Sequence, residues 1–281
     1  VGRNRRLGGG PPIPVGKQSE LVDTRPLATE RPLVFDEADS TNRRVLYFMS
    51  GVTLQSARFR NQLGPVIWLD VEKRTADTEP ALTSVHWSDG LTTYVHDLIL
   101  GESAKAWKLE FQSWPQLAAG IVRGAIATNS LIGGYTIFER DLLMAACPED
   151  AEWIKANYLN ANAARWFKKH RPELHGEALR PAGKWGKPGL KDFLMQPEVG
   201  YPYPKYLLDV HPGSILGRLR DLLDKREGVH RELTKAAKRD WRNLIEYNRQ
   251  DVLGMIHLVE YVRRESTAQE PGGNAMKQAQ Q

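Results

Sequence analysis

Five residues of this chain could together support metal-dependent chemistry. Asp70 and Glu72 lie at the end of an apolar run, and Glu139 follows a Gly-Gly-Tyr turn. Tyr247 precedes Asp251 by four residues, late in the sequence. Each carboxylate lies at the end or on the face of an element that should otherwise be buried. A buried carboxylate is costly unless a positive group holds it, and a divalent metal ion is a usual holder.

The first two acids belong to a predicted strand. The run from Val66 to Val71 is mainly apolar and has the length of a strand buried on both faces. Residues i and i+2 of a strand face the same side, so Asp70 and Glu72 should point into one site. Other pairs with this spacing do not end a buried strand: Glu37 and Asp39, Asp77 and Glu79, and Asp150 and Glu152.

Glu139 is predicted in the first turn of the helix that follows a short strand at 130–134. The helix dipole favours an acid there, which is an alternative explanation for its presence. Asp141 is a nearby competitor, but it should point away from Glu139, to the outer face.

Asp251 is predicted inside the buried stripe of the last helix. The alternative is a core aspartate paired with an arginine or a backbone group. Tyr247 lies one turn earlier, within reach of the same site. The other members of the stripe are Trp241, Leu244, Asn248, Val252, Met255, Leu258, Val259 and Val262.

The order of predicted elements indicates an α/β fold. Three strands, a helix, a strand and further helices are the order of a ribonuclease H-like domain, with a mixed central sheet flanked by helices. The strands are expected at 66–71, 81–87, 91–95 and 130–134, and the main helices at 114–127 and 235–264.

The domain is expected to span residues 62–264. Glycines and prolines interrupt residues 1–40, so this segment is predicted to be a disordered basic N-terminal tail. Residues 41–61 are expected to form an extra strand or docking segment, and residues 265–281 a disordered C-terminal tail.

Composition favours a nucleic-acid partner and no membrane. The net charge is +5, and the basic runs at 165–171 and 225–242 would suit a phosphate backbone, although a solvated helix face is the alternative for each. No apolar run approaches the ~18 residues of a membrane span. The single cysteine, Cys147, excludes an intramolecular disulfide and fits a cytoplasmic location.

The combined motifs resemble the DEDD 3′–5′ exonucleases that carry a tyrosine in the third motif. The likeness is closest to the YprB-type ribonuclease H-like exonuclease domain, and it covers about residues 62–264. Tyr135 to Glu139 looks like its Tyr-x-x-x-Glu second motif, and Gly189 to Asp192 resembles its Ser-Leu-Lys element. The wider DEDD group more often has aspartate where this chain has Glu139, and the longer side chain could shift one metal.

The resemblance implies hydrolysis of phosphodiesters with two Mg²⁺ or Mn²⁺ ions roughly 3.5–4 Å apart. Asp70 would bridge both ions, Glu72 and Asp251 would complete one site, and Glu139 would support the other through water. Tyr247 would orient the attacking water. The expected partners are nucleic acid, as single strands or 3′ ends, and a companion nuclease or helicase.

Two alternatives remain beside a 3′–5′ exonuclease. One is a catalytically degenerate ribonuclease H-like module that binds nucleic acid or a partner protein. The other is an endonuclease or structure-selective ribonuclease that uses the same metal site. DNA and RNA both remain candidate substrates.

Overall fold

The computed structural model of this 281-residue chain describes residues 51–56, 59, 63–179 and 187–268. The predicted tail at 1–40 lies outside the described residues, as do residues 41–50 and 269–281. Within the described part, no helix combines the length and the apolar character needed to cross a membrane.

The described residues form a seven-stranded mixed sheet. The strands are β1 (Val52–Thr53), β2 (Val66–Glu72), β3 (Leu82–Trp87), β4 (Gly90–Val95), β5 (Glu110–Phe111), β6 (Leu131–Gly134) and β7 (Tyr158–Asn160). Their order in the sheet is β1-β7-β6-β2-β3-β4-β5. Strand β3 runs antiparallel to both β2 and β4, whereas β6 is parallel to β2 and β7 is parallel to β6.

Helices cover both faces of the sheet. In chain order they are α1 (Leu98–Ala106), α2 (Trp114–Ala127), α3 (Phe138–Ala146), α4 (Ala151–Asn157), α5 (Ala164–His170), α6 (Pro172–Leu179), α7 (Leu190–Leu194), α8 (Pro212–Asp224) and α9 (Lys235–Ala268). Short 3₁₀ turns lie at Pro148–Asp150, Lys205–Leu207 and His230–Glu232.

Strand β2 separates two apolar layers. Its residues 67, 69 and 71 belong to the cluster that includes the buried side chains of α2. Trp68 points to the opposite face and joins the cluster that contains the stripe of α9. Side chains alternate along a strand, so Asp70 and Glu72 share the face of Trp68 and point toward α9.

The long helix α9 buries the predicted stripe. Every predicted member is buried, and Asp251 is 8% exposed. The apolar spacing keeps this stripe against the sheet over many turns, which explains why so long a helix is stable. The helix continues to Ala268, a few residues beyond the predicted end at 264.

The predicted hairpin, the predicted helix at 114–127 and the strand before Glu139 are all present. The elements that were not predicted include α1, β5 and β7. Strands of two or three residues are too short to show a periodic pattern. For α1 the available signal was Asp97, whose carboxylate accepts a hydrogen bond from the Ile99 amide at 2.8 Å and caps the helix.

Candidate metal centre

Three of the predicted acids come together between β2 and α9. Carboxylate oxygens of Asp70, Glu72 and Asp251 all lie within 4.8 Å of one another. The first two reach this place because they alternate along one face of β2. Asp251 reaches it because it lies in the stripe of α9 that packs on that face. Hard oxygen donors at this spacing suit Mg²⁺ or Mn²⁺.

Burial and mutual repulsion control the ionisation of these acids. Burial, with the neighbouring charges of Glu72, Asp251 and Glu139, raises the pKa of Asp70 well above its usual range. Burial and the charge of Asp251 raise the pKa of Glu72 to about 8. Burial also raises the pKa of Asp251, although the nearby Lys191 opposes this effect. A bound cation would stabilise the ionised form of all three, so the residues fit a divalent metal ion.

Asp70 is held by an amide from α9. The Asn248 Nδ2 donates a hydrogen bond to Oδ2 of Asp70 at 2.6 Å. Asn248 is fully buried. The sequence predicted Asn248 as a member of the buried stripe but not as part of the site. Its polar side chain within an otherwise apolar stripe was the signal that could have identified it.

Asp251 is held by groups that come from the middle of the chain. The Tyr203 hydroxyl donates to Oδ1 of Asp251 at 2.7 Å, and Nζ of Lys191 lies 3.5 Å from Oδ2. The sequence alternative was a core aspartate paired with an arginine or a backbone group; in the structure the cation beside Asp251 is Lys191. Tyr203 was not predicted as part of the site.

Tyr247 lies beside Asp251, as predicted, and its hydroxyl group helps to lower the pKa of the Asp251 carboxyl. Nζ of Lys191 lies 3.3 Å from the centroid of the Tyr247 ring. A cation over an aromatic face is attracted to it. Lys191 thus contacts both the acid and the tyrosine of the third predicted motif.

Glu139 lies beside the three acids rather than within the group. It is 5% exposed, and its charge contributes to the raised pKa values of Asp70 and Glu72. Asp141, the competitor, is exposed and pairs with Arg140 at 2.8 Å, on the outer face as predicted. Because Glu139 lies near the other acids and Asp141 does not, Glu139 is the better candidate for the fourth acidic residue of the site.

Glu139 is also hydrogen-bonded to the turn that precedes α3. Its Oε2 accepts hydrogen bonds from the backbone amide of Thr136 at 3.2 Å and from the Thr136 hydroxyl at 2.9 Å. The Thr136 hydroxyl in turn accepts from the Phe138 amide at 3.1 Å. These hydrogen bonds hold the turn that leads into α3. The Tyr158 hydroxyl lies 3.3 Å from Oε2 as well, and a side chain at Gly134 would collide with that hydroxyl.

A row of polar groups extends from the acids across the sheet. Ser84 lies opposite Asp70 in the β2–β3 register and is 2.9 Å from the hydroxyl of Thr93. Nε of Arg249, on α9, donates to the Thr93 hydroxyl at 2.8 Å. Among the residues that the structure describes, no carboxylate forms an ion pair with Arg249. Its guanidinium lies at Thr93 on β4, two strands across the sheet from Asp70.

The basic runs predicted from sequence are partly structural. In the run at 165–171, Trp166 and Phe167 are buried and cannot stack on a base. Arg171 pairs with Glu173 at 2.6 Å and with Glu265 at 2.9 Å. In the run at 225–242 the aromatic residue, Trp241, is also buried.

Comparison of the chain with protein-family models and with curated proteins gives no match. The function is therefore inferred from the geometry of Asp70, Glu72 and Asp251 and from the groups that contact them. Three converging carboxylates, of which Asp251 is buried and Asp70 and Glu72 are half-buried, could hold divalent ions, and the Lys191 ammonium lies against Asp251.

Proposed function

We propose that this protein is a metal-dependent 3′–5′ exonuclease of the DEDD group, which hydrolyses phosphodiester bonds of DNA or RNA. The observation that carries the proposal is the convergence of Asp70, Glu72 and Asp251, which two distant segments of the chain bring within 4.8 Å. An acidic cluster alone is weak evidence. Here, the Asp-x-Glu spacing on β2 and the Tyr-x-x-x-Asp spacing on α9 accompany it.

The sheet supports the same interpretation. Strands β4-β3-β2-β6-β7 are adjacent in that order, with β3 antiparallel to its neighbours. This order is compatible with a ribonuclease H-like fold. It places Asp70 and Glu72 on the central strand β2, and α9 crosses the face that they occupy.

The roles of the residues follow from their contacts. Asp70, Glu72 and Asp251 would hold Mg²⁺ or Mn²⁺, with Glu139 in a supporting position. Two such ions, when bound, supply a nucleophile at neutral pH and stabilise charge on the leaving oxygen. Tyr203 donates a hydrogen bond to Asp251, and Tyr247 would orient the attacking water.

Basic groups beside the acids would bind the nucleic acid. Lys73 directly follows Glu72, and its ammonium lies 5.7 Å from the ring centroid of Phe138, which is 40% exposed. Arg249 lies on the other side, beside Thr93. These cations could contact phosphates on either side of the scissile bond.

A second candidate, a module that binds nucleic acid or a protein without cutting, is favoured by one contact. The ammonium of Lys191 already neutralises part of the charge on Asp251. A permanent internal cation at this position would reduce the need for a metal ion.

A cleavage assay separates the two candidates. We expect Mn²⁺-dependent loss of the 3′-terminal label from linear single strands and no cutting of circular ones. Asp70→Asn should abolish the activity, while Asp141→Asn, an exposed acid of α3, should retain it. Cutting of circular substrates would indicate an endonuclease instead. Binding without metal-dependent cleavage by the folded wild-type protein would favour the non-cutting module.

A further inference from the structure

Asn248 occupies a position where an amide needs a specific reason. It lies on α9 with no exposed surface, and Leu244 and Val252, one turn away on either side, are both fully buried apolar residues. Burying an amide among apolar side chains is unfavourable unless hydrogen bonds compensate for lost water. Its partners should therefore explain its presence.

One end of the amide contacts the acidic cluster directly. Nδ2 of Asn248 donates to Oδ2 of Asp70 at 2.6 Å, across 178 positions of the sequence. This bond connects α9 to β2 at the point where the carboxylates converge. An amide is a neutral donor, so it can fix the orientation of Asp70 without the repulsion that a lysine or arginine would exert on a bound cation.

The other end of the amide has no protein partner. Oδ1 of Asn248 is buried and accepts no hydrogen bond from any described residue. Buried polar atoms are normally paired, and an orphan acceptor needs an explanation. An acceptor next to the carboxylates is suited to a donor that enters the site with its ligand, such as a water molecule.

We propose that Asn248 is the positioning residue for Asp70 and thereby controls the affinity of the site for divalent metal ions. The inference rests on the proposed function, because it assumes that Asp70 binds metal. Residues that orient metal ligands typically contribute 10- to 100-fold in metal affinity. We expect a loss of this size when the amide is removed.

The test is Mn²⁺ binding without nucleic acid, measured by titration calorimetry or by the electron paramagnetic resonance signal of free Mn²⁺. Asn248→Leu keeps the size of the side chain but removes both hydrogen-bonding groups. The matched control is Asn157→Leu, which replaces another buried asparagine whose amide donates to the Trp153 carbonyl at 3.0 Å. We expect Asn248→Leu to weaken Mn²⁺ binding roughly 10- to 100-fold, and Asn157→Leu to leave it within about twofold of the wild type.

Three results would overturn the inference. Equal Mn²⁺ affinity of Asn248→Leu and wild type would overturn it while the proposed nuclease function stands. A lowered melting temperature with unchanged Mn²⁺ affinity would show a packing role only. Wild-type protein that binds no Mn²⁺ would overturn the proposed function together with the inference. If Asn248→Leu does not fold, Asn248→Ser, whose hydroxyl is too short to reach Asp70, gives the same comparison.

Cleavage kinetics provide an independent readout. Asn248 contacts Asp70 and is fully buried, so it should not contact the nucleic acid. At a fixed Mn²⁺ concentration below saturation, Asn248→Leu should lower kcat and leave KM for the oligonucleotide unchanged. A rise in KM at constant kcat would contradict a positioning role.

Discussion

The ammonium of Lys191 lies 3.5 Å from Oδ2 of Asp251, one of the three converging carboxylates. The same ammonium lies 3.3 Å from the centroid of the Tyr247 ring. Its charge also opposes the rise in the pKa of Glu72. Lys191 therefore supplies a positive charge from within the protein beside the three carboxylates of the proposed metal site.

Removing this cation should strengthen metal binding. Two unit charges about 4 Å apart interact with about 4 kcal/mol at an effective dielectric constant of about 20, and the interaction falls with distance. We expect Lys191→Met to raise Mn²⁺ affinity about tenfold or more and to lower the melting temperature of the metal-free protein. Calorimetry and thermal unfolding would measure both effects. Lys169→Met, at an exposed position of α5, is the control. Weaker Mn²⁺ binding by Lys191→Met would mean that Lys191 supports the metal site.

The stability of the metal-free protein should depend on pH in a defined direction. Glu72 has a pKa of about 8 in the folded protein instead of the usual 4.5, and the pKa values of Asp70 and Asp251 are also raised. A carboxyl group whose pKa is higher in the folded than in the unfolded protein stabilises the fold fully at pH values below its pKa in the unfolded protein. This stabilisation is lost as the pH rises through the pKa of the group in the folded protein. The melting temperature should therefore fall between about pH 5 and pH 9.

Mn²⁺ should counteract this fall, because it binds the ionised carboxylates. The rise in melting temperature on adding Mn²⁺ should be larger near pH 8.5 than near pH 5.5. Glu72→Gln removes one of the titrating groups, so its metal-free stability should change less with pH. A wild-type melting temperature that rises toward alkaline pH without metal would contradict the raised pKa values of these acids.

The elements that carry the acids could be predicted because each has a long, regular apolar pattern. The alternation in β2 placed Asp70 and Glu72 on one face, and the helical stripe of α9 placed Asp251 and Asn248 on another. Which side chains share a face of a strand or a helix depends only on its side-chain periodicity, about two residues in a strand and 3.6 in a helix. The sequence also predicted that the acid-bearing faces of β2 and α9 meet, because each acid lies at the end or on the face of an element that should be buried.

The partners of the acids could not be predicted in the same way. Tyr203 lies between a turn and a short 3₁₀ helix, where no period exists, and it reaches Asp251 across 48 positions. Asn248 was visible as a polar member of a stripe, but its bond to Asp70 joins two distant segments. Such contacts depend on the path of the whole chain, which sequence spacing does not describe.

Arg249 should contribute to binding of single-stranded nucleic acid. It lies on α9 two residues before Asp251, and it is held by the Thr93 hydroxyl rather than by a described carboxylate. We expect Arg249→Gln to weaken oligonucleotide binding and to reduce the slope of log affinity against log salt by about one. Its Mn²⁺ affinity should be unchanged. The control is Arg263→Gln, at an exposed position near the far end of α9. An unchanged salt slope would indicate that Arg249 only links α9 to the sheet.

The two tyrosines beside Asp251 should have different roles. Tyr203 donates to Oδ1 of Asp251 at 2.7 Å and is 4% exposed, so it is placed to orient this carboxylate. Tyr247 is half-buried one turn before Asp251, so its hydroxyl can reach a water molecule in the site. Loss of a group that positions or transfers protons typically slows a reaction about 10²- to 10⁴-fold.

A matched pair of variants tests this division. Tyr247→Phe should slow single-turnover cleavage about 10²- to 10⁴-fold with Mn²⁺ affinity nearly unchanged. Tyr203→Phe should weaken Mn²⁺ binding about tenfold or more, because Asp251 loses the group that orients it. Both changes remove only one hydroxyl, so each variant is the control for the other. An unchanged rate for Tyr247→Phe would remove this residue from the mechanism. Weaker Mn²⁺ binding by Tyr247→Phe alone would reverse the two assignments.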